Sequence, residues 1–198
     1  MPSLALVVCM LFAASSVTRG DPDAYAESEE HFNEQKLSAL TNVSSTLFIK
    51  RRNYRTASQF RCHYAKKVQK NEDGTLTYEL GARLKGQTQY EKFEVRLTPR
   101  RTGNHTDDNA ATYQESKGEG PVTHRIVTMN NKHDCFVVTL PYNSSNVCFI
   151  LMTAETANGD IPEHCNMVYK ENCEESASVD LYQSDCQQQQ QCTSTSHI

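Results

Sequence analysis

Four cations fall close together at Lys50, Arg51, Arg52 and Arg55, and another, Arg125, stands beside His124 far along the chain. Guanidinium groups pair with carboxylates through two parallel N–H donors, so these positions are candidates for holding an acidic ligand. His124 and Arg125 lie in an extended run. Neighbouring side chains in a strand point to opposite faces, so one of the two must face inward. Tyr54, Tyr64, Tyr78 and Phe93 lie in or beside stretches that alternate apolar with polar residues, and could supply ring surfaces. An apolar chamber with one or two cations suits an amphipathic carboxylate. The candidate binding set is therefore Arg52, Tyr54, Tyr64, Tyr78, Phe93, His124 and Arg125. A plainer reading stands beside it. The Lys50–Arg55 run is also a solvated charged loop, His124 a packed core histidine, and the tyrosines ordinary strand residues.

The second kind of chemistry belongs to sulfur. Of eight cysteines, Cys9 lies in an apolar N-terminal stretch. Cys62, Cys135, Cys148, Cys165, Cys173, Cys186 and Cys192 follow, six of them in the last third. Such a density fits an oxidising compartment and disulfides. No Cys-x2-Cys or His-x3-His pair suggests zinc. No Gly-x-Ser-x-Gly, His-Glu-x-x-His or phosphate-cradling glycine loop suggests an enzyme, and no cofactor is expected.

Residues 1–20 read as a signal peptide, with Leu4 to Ala14 as its apolar core. That run is too short to span a bilayer, which takes roughly 20 residues, and no membrane association is expected. The chain carries 20 basic and 24 acidic residues, a net charge of −4; removing Arg19 with the leader makes it −5. This acidity argues against a nucleic-acid partner. Sequons at Asn42, Asn104 and Asn143 lie where turns are expected and mark candidate glycosylation sites. The remaining length suits one domain over residues 21–186. Gln187 to Gln191 opens a polar tail to residue 198, read as disordered.

The elements that must position these residues are mostly strands. A short helix is plausible where Phe32, Leu37 and Leu40 approach helical spacing. Then come Thr46–Arg52, with Leu47 and Ile49 on one face; Phe60, Cys62 and Tyr64, alternating; an Asp73-Gly74 turn; Leu76, Tyr78 and Leu80; Phe93, Val95 and Leu97; and a weaker strand at Ala111, Tyr113 and Glu115. Val122–Met129, Cys135–Leu140 and Val147–Met152 complete about eight strands joined by short turns. That spacing fits an antiparallel up-and-down barrel. A C-terminal helix follows, with Asp160 as its cap, Pro162 in its first turn and Cys165, Val168, Tyr169 and Cys173 on one face.

Cysteine contexts in this order resemble those of the tick salivary lipocalins, the histamine-binding protein family. They are Phe60-Arg61-Cys62, Asp134-Cys135-Phe136-Val137-Val138, Ile161-Pro162-Glu163-His164-Cys165, and Val179-Asp180-Leu181 through Cys186. The resemblance implies an eight-stranded antiparallel lipocalin barrel with a short N-terminal helix and a C-terminal helix on its wall. It also implies bridges Cys62–Cys186 and Cys135–Cys165. Of the three cysteines left, Cys148, mid-strand, and Cys173, on the buried helix face, are paired, with Cys173–Cys192 the alternative. Cys192 is then free or a link to another chain of an otherwise monomeric protein. The resemblance implies a secreted carrier that sequesters a small host mediator, either a biogenic amine such as histamine or a lipid. The amine pattern is broken here. Phe136 follows Cys135 where an acid is expected, Ile150 stands near an expected Glu, Arg125 near an expected Asp, and Trp is absent. The reading therefore leans to an eicosanoid carboxylate. The alternative is a protein-binding lipocalin acting on complement, clotting or platelets through loops at Thr102–Asn109 and Pro141–Asn146.

Overall fold

The computed structural model describes residues 20–116, 118–173 and 177–187. The proposed leader and the glutamine-rich tail, Cys192 included, lie almost wholly outside these residues. Period-two alternation builds eight strands: β1 Leu47–Arg52, β2 Phe60–Lys70, β3 Leu76–Leu84, β4 Glu91–Arg100, β5 Ala110–Tyr113, β6 Val122–Met129, β7 Cys135–Tyr142 and β8 Ser145–Thr153. Each pairs antiparallel with the next, and β1 pairs with both β2 and β8, so the sheet closes into a barrel. A short ninth strand, β9 (Val179–Asp180), adds to the outside of β1. The fold is thus the eight-stranded antiparallel barrel expected, with one extra strand.

Two apolar clusters divide the wall. The inner one takes Leu47, Leu76, Val95, Ile126, Phe136 and Phe149, with others at the same alternation. The outer one takes Phe48, Val137, Ile150 and Met152 beneath α3 (Glu163–Asn172) and the disulfides. This explains why β8 reads as apolar throughout: it is buried on both faces, as strands covered by a second layer are.

The N-terminal segment departs from the single helix expected. It forms α1 (Pro22–Ala26), a 3-10 turn (Glu29–Glu34) and α2 (Leu37–Thr41). Asp21 caps α1 through its side chain, and Pro22 takes the first helical position, where its missing N–H costs nothing. Leu37 and Leu40 of α2 join the inner cluster and plug that end of the barrel. Lys67 of β2 donates to the Thr41 carbonyl of the plug at 2.6 Å. The other end carries the β1–β2, β3–β4, β5–β6 and β7–β8 connections and is the mouth.

The C-terminal helix also begins later than expected. Its cap position is Pro162, with no side-chain cap, and Asp160 lies before it. Cys165, Val168 and Tyr169 are its buried face, as their spacing predicts.

Candidate ligand chamber at the barrel mouth

Arg52 ends β1 opposite Phe149, an inward residue of β8. Its register shifts between Ile49 and Arg51, which turns Arg51 outward and Arg52 in. Arg52 is 8% exposed. Its guanidinium carbon stands 4.8 Å from the centre of the Tyr54 ring, and Nη2 donates to Thr56 Oγ1 at 3.0 Å. Its Nε is buried without a partner, and no carboxylate among the described residues comes within ion-pair distance of it. A buried charge without a counter-ion is costly, and the usual remedy is a bound one.

The rest of the charged network around it is different in kind. Bulge geometry in β2, with Cys62 at φ +56° and a register shift between Arg61 and Tyr64, sends Cys62 and Tyr64 outward and His63 in. Burial pushes the His63 imidazole down to about 4, helped by the Arg52 charge and opposed by Glu115. His63 is therefore neutral at physiological pH, and its Nδ1 is buried without a partner.

His124 of β6 is 3% exposed. Its Nδ1 donates to the Val122 carbonyl at 3.0 Å, and Nε2 lies 2.9 Å from Glu115 Oε1. A carbonyl only accepts, so the tautomer that fits this contact carries its proton on Nδ1. Tyr113 stacks on this imidazole at 4.0 Å, and Phe149 meets it edge-on at 6.1 Å.

Three phenols look into the same space. Tyr54 lies 5.0 Å, centre to centre, from Tyr142 at the mouth. Burial, then Glu115 and the phenols of Tyr54 and Tyr78, hold Tyr113 well above its ordinary range. As whole residues Tyr113, Phe93 and Leu80 are half-buried, the last two paired across β3 and β4. Tyr78 is 3% exposed and pushed up to about 12 by burial, and its hydroxyl has no hydrogen-bond partner among the described residues.

Two of the residues read from sequence lie elsewhere. Tyr64 faces out, donating to Glu79 at 2.8 Å and packing against Gly81, Phe48 and Tyr90. Arg125 also faces out and pairs with Asp23 and Glu27 of the N-terminal segment. Alternation gave the inward place to its neighbour His124. The basic run splits likewise. Lys50 bonds the Ala157 and Gly159 carbonyls, Arg51 pairs with Asp180, Arg55 is exposed, and only Arg52 enters. The structure thus brings Arg52, Tyr54, Tyr78, Phe93 and His124 together. It adds His63, Tyr113 and Glu115, which sequence reasoning had not singled out.

The bridges are Cys62–Cys186, Cys135–Cys165 and Cys148–Cys173, with Cα separations of 5.3, 6.6 and 5.9 Å. Cys173 is therefore not left for Cys192. All three bridges lie on the outer wall. Cys62, Asp185 and Cys186 approach one another as metal ligands might, but both sulfurs are spent in the disulfide. Asn42, Asn104 and Asn143 are exposed. Outside the barrel, a groove of about 730 Å³ runs between the β6–β7 turn and the loop before α3. Three of its carboxylates are engaged: Glu34 with Thr128 and His164, Glu155 with Ser45, and Asp134 with Asn130.

The family model of the tick histamine-binding protein matches residues 25–188. The chain belongs to that family. Solved structures bear out the lipocalin fold of this family member at low identity. Japanin from Rhipicephalus appendiculatus, bound to cholesterol, is 15% identical with a TM-score of 0.50, over 70% of this chain and 91% of its own. The AM182–serotonin complex is 11% identical with a TM-score of 0.53, over 82% and 91%. Insecticyanin from the tobacco hornworm Manduca sexta is 12% identical with a TM-score of 0.57, over 75% and 81%. No curated protein sequence matches the chain. No helix among the described residues is long and apolar enough to cross a membrane.

Proposed function

We propose that this family member is a secreted salivary capture protein that takes up a small amphipathic carboxylate of the host, an eicosanoid being the best-fitting class. Binding is stoichiometric and lowers the free mediator without turnover, which would blunt the host response at a feeding site. The observation that carries this reading is Arg52: inward, 8% exposed, stacked on Tyr54 and without a carboxylate partner among the described residues. A ligand carboxylate accepting from Arg52 would supply the missing counter-charge, with His63 beside it as a neutral donor. The apolar wall below, from Leu80 and Phe93 towards Val95 and Ile126, suits a hydrocarbon chain. Among the described residues, the carboxylate that reaches this space, Glu115, is already held by His124, which disfavours an amine as occupant. Relatives crystallised with cholesterol and serotonin support a small-molecule occupant in general.

Competition binding with labelled leukotriene and labelled histamine tests this reading. The expected result is saturable leukotriene binding that weakens roughly 10- to 100-fold in Arg52→Gln, the scale of a lost charge-assisted hydrogen bond. Tight histamine binding with no carboxylate binding would refute it.

A further inference from the structure

Arg19-Gly20-Asp21 sets a guanidinium and a carboxylate on either side of a residue without a side chain. Gly20 and Asp21 are both exposed. Asp21 stands at the entrance to α1 with φ -107° and ψ 121°, so its backbone is extended. Pro22 behind it is buried and holds the residue before it to such geometry. The cap uses one carboxylate oxygen: Oδ1 accepts the Asp23 amide at 3.0 Å. Gly20 is packed on the fold as well. Its amide donates to the Glu171 carbonyl at 3.0 Å, at the end of α3, where helix carbonyls have no partner within the helix. A β-carbon at Gly20 would run into the Asn172 side chain, so the position suits glycine. A leader that ended at Gly20 would discard these contacts. Ala14 and Ser16 are small residues at the third and first positions before a cut after Ser16, the pattern that leader removal favours. That cut keeps Arg19.

We propose that the secreted chain begins at Val17 and that Arg19-Gly20-Asp21 is a docking motif for a cell-surface adhesion receptor of the integrin type. The two charges state the partner's chemistry. A carboxylate is a hard oxygen ligand, suited to fill an open position on a divalent cation held by the receptor. A guanidinium docks through two parallel donors on a receptor carboxylate a short distance away. The glycine between them lets the receptor surface approach the backbone closely. The aspartate end is set in advance by its cap and by Pro22, which lowers the ordering cost of binding. The motif lies on the outside of the barrel, where α1 and α3 pack against the wall. Docking rests on the secretion proposed above and not on what the chamber holds. A chain that occupies the receptor in this way competes with the receptor's own Arg-Gly-Asp ligands.

The test uses the full chain secreted from cultured insect cells. Intact mass and N-terminal sequencing should place the first residue at Val17, with Arg19 retained; a chain that begins after Arg19 overturns the proposal. The purified chain is then titrated, with magnesium present, against a purified integrin that binds Arg-Gly-Asp peptides. Saturable binding is expected, abolished by EDTA and displaced by the peptide Gly-Arg-Gly-Asp-Ser. Asp21→Asn is the decisive variant. Asparagine caps a helix as well as aspartate does, so the melting temperature should not change, but the charge that the cation needs is gone. Affinity for the integrin should fall roughly 10- to 100-fold, the scale of a lost charge-assisted contact. Arg19→Lys lies outside the cap, keeps the charge and loses the two-donor fork, and should also weaken binding. Absence of integrin binding overturns the proposal. So does binding that survives EDTA, or that keeps its full strength in Asp21→Asn. Leukotriene binding by Asp21→Asn should equal that of the natural protein, so failure of the docking proposal leaves carboxylate capture standing.

Discussion

His63 and Arg52 show how one residue's environment sets another's chemistry. Burial and the neighbouring guanidinium hold the His63 imidazole at about 4, against 6.5 for a free side chain. Between those values the unfolded chain binds a proton that the folded chain refuses. Stability therefore rises with pH across the window, is fully present above about 6.5, and is lost as pH falls towards 4. The shift corresponds to roughly 3 kcal/mol at most, by the usual conversion of pKa difference to free energy. Unfolding by urea at pH 7 and pH 5 should show a marked fall in midpoint for the natural protein. The fall should be much smaller for His63→Asn, which has no proton to gain. Parallel curves for the two proteins would mean that His63 is solvated in the native state. Arg52 faces the same low-dielectric surroundings but cannot discharge in this way, since a guanidinium stays protonated. An anion would answer that charge, and the contrast is why we propose the ligand carboxylate at Arg52.

At the scale of the strand, the wall is read by which side each residue takes. Tyr64 lies against Gly81 on the outer face, and a β-carbon at Gly81 would stand 2.2 Å from the tyrosine ring. Gly81 is there to let the ring lie flat on β3 and its hydroxyl reach Glu79. Gly81→Ala should displace the ring and cost roughly 1–3 kcal/mol, as overpacking does. Tyr64→Ala in the same background should recover part of that loss by opening the space, and denaturant midpoints of the single and double variants measure it. The same position explains what was legible in the sequence. The alternating strands, the turns between them and the apolar face of α3 follow from local periodicity. The facing of β2 does not, because the bulge at Cys62 breaks the count. A signal did exist. Cys62 bridges to the tail, which packs outside the barrel, so Cys62 and its alternate Tyr64 face out, leaving His63 for the inside. Likewise outward Cys148 places Phe149 inward. Glu115 was read in alternation with Ala111 and Tyr113, but β5 ends at Tyr113, and the turn beyond it carries Glu115 to His124.

At the scale of the whole molecule, the outer sulfur framework and the inner polar residues are mechanically joined. Cys62–Cys186 spans 124 residues and holds the C-terminal segment against β1 and β2. Cys62 immediately precedes His63. The segment it anchors supplies β9, whose Val179 pairs with Arg52, while the Leu181 carbonyl accepts the Cys62 amide at 3.0 Å. Both polar residues at the mouth thus take their position from backbone that this bridge fixes. Constraining so long a loop contributes roughly 4–5 kcal/mol by the chain-entropy estimate. Replacing both cysteines by serine should lower the unfolding free energy by that order. It should also weaken carboxylate binding at temperatures where the barrel is still folded, because Arg52 and His63 lose their fixed backbone. The Cys135–Cys165 bridge supplies the comparison. It ties α3 to β7 across 30 residues and touches neither β1 nor β2. Its removal should cost stability of similar order, roughly 3–4 kcal/mol, and leave affinity per folded molecule unchanged. Binding curves below the melting transition, with fluorescence-monitored unfolding of both variants, separate the two effects. Equal loss of affinity in the two would mean that the bridges act only on global stability. Loss confined to the Cys62–Cys186 pair would mean that the tail positions the residues of the mouth.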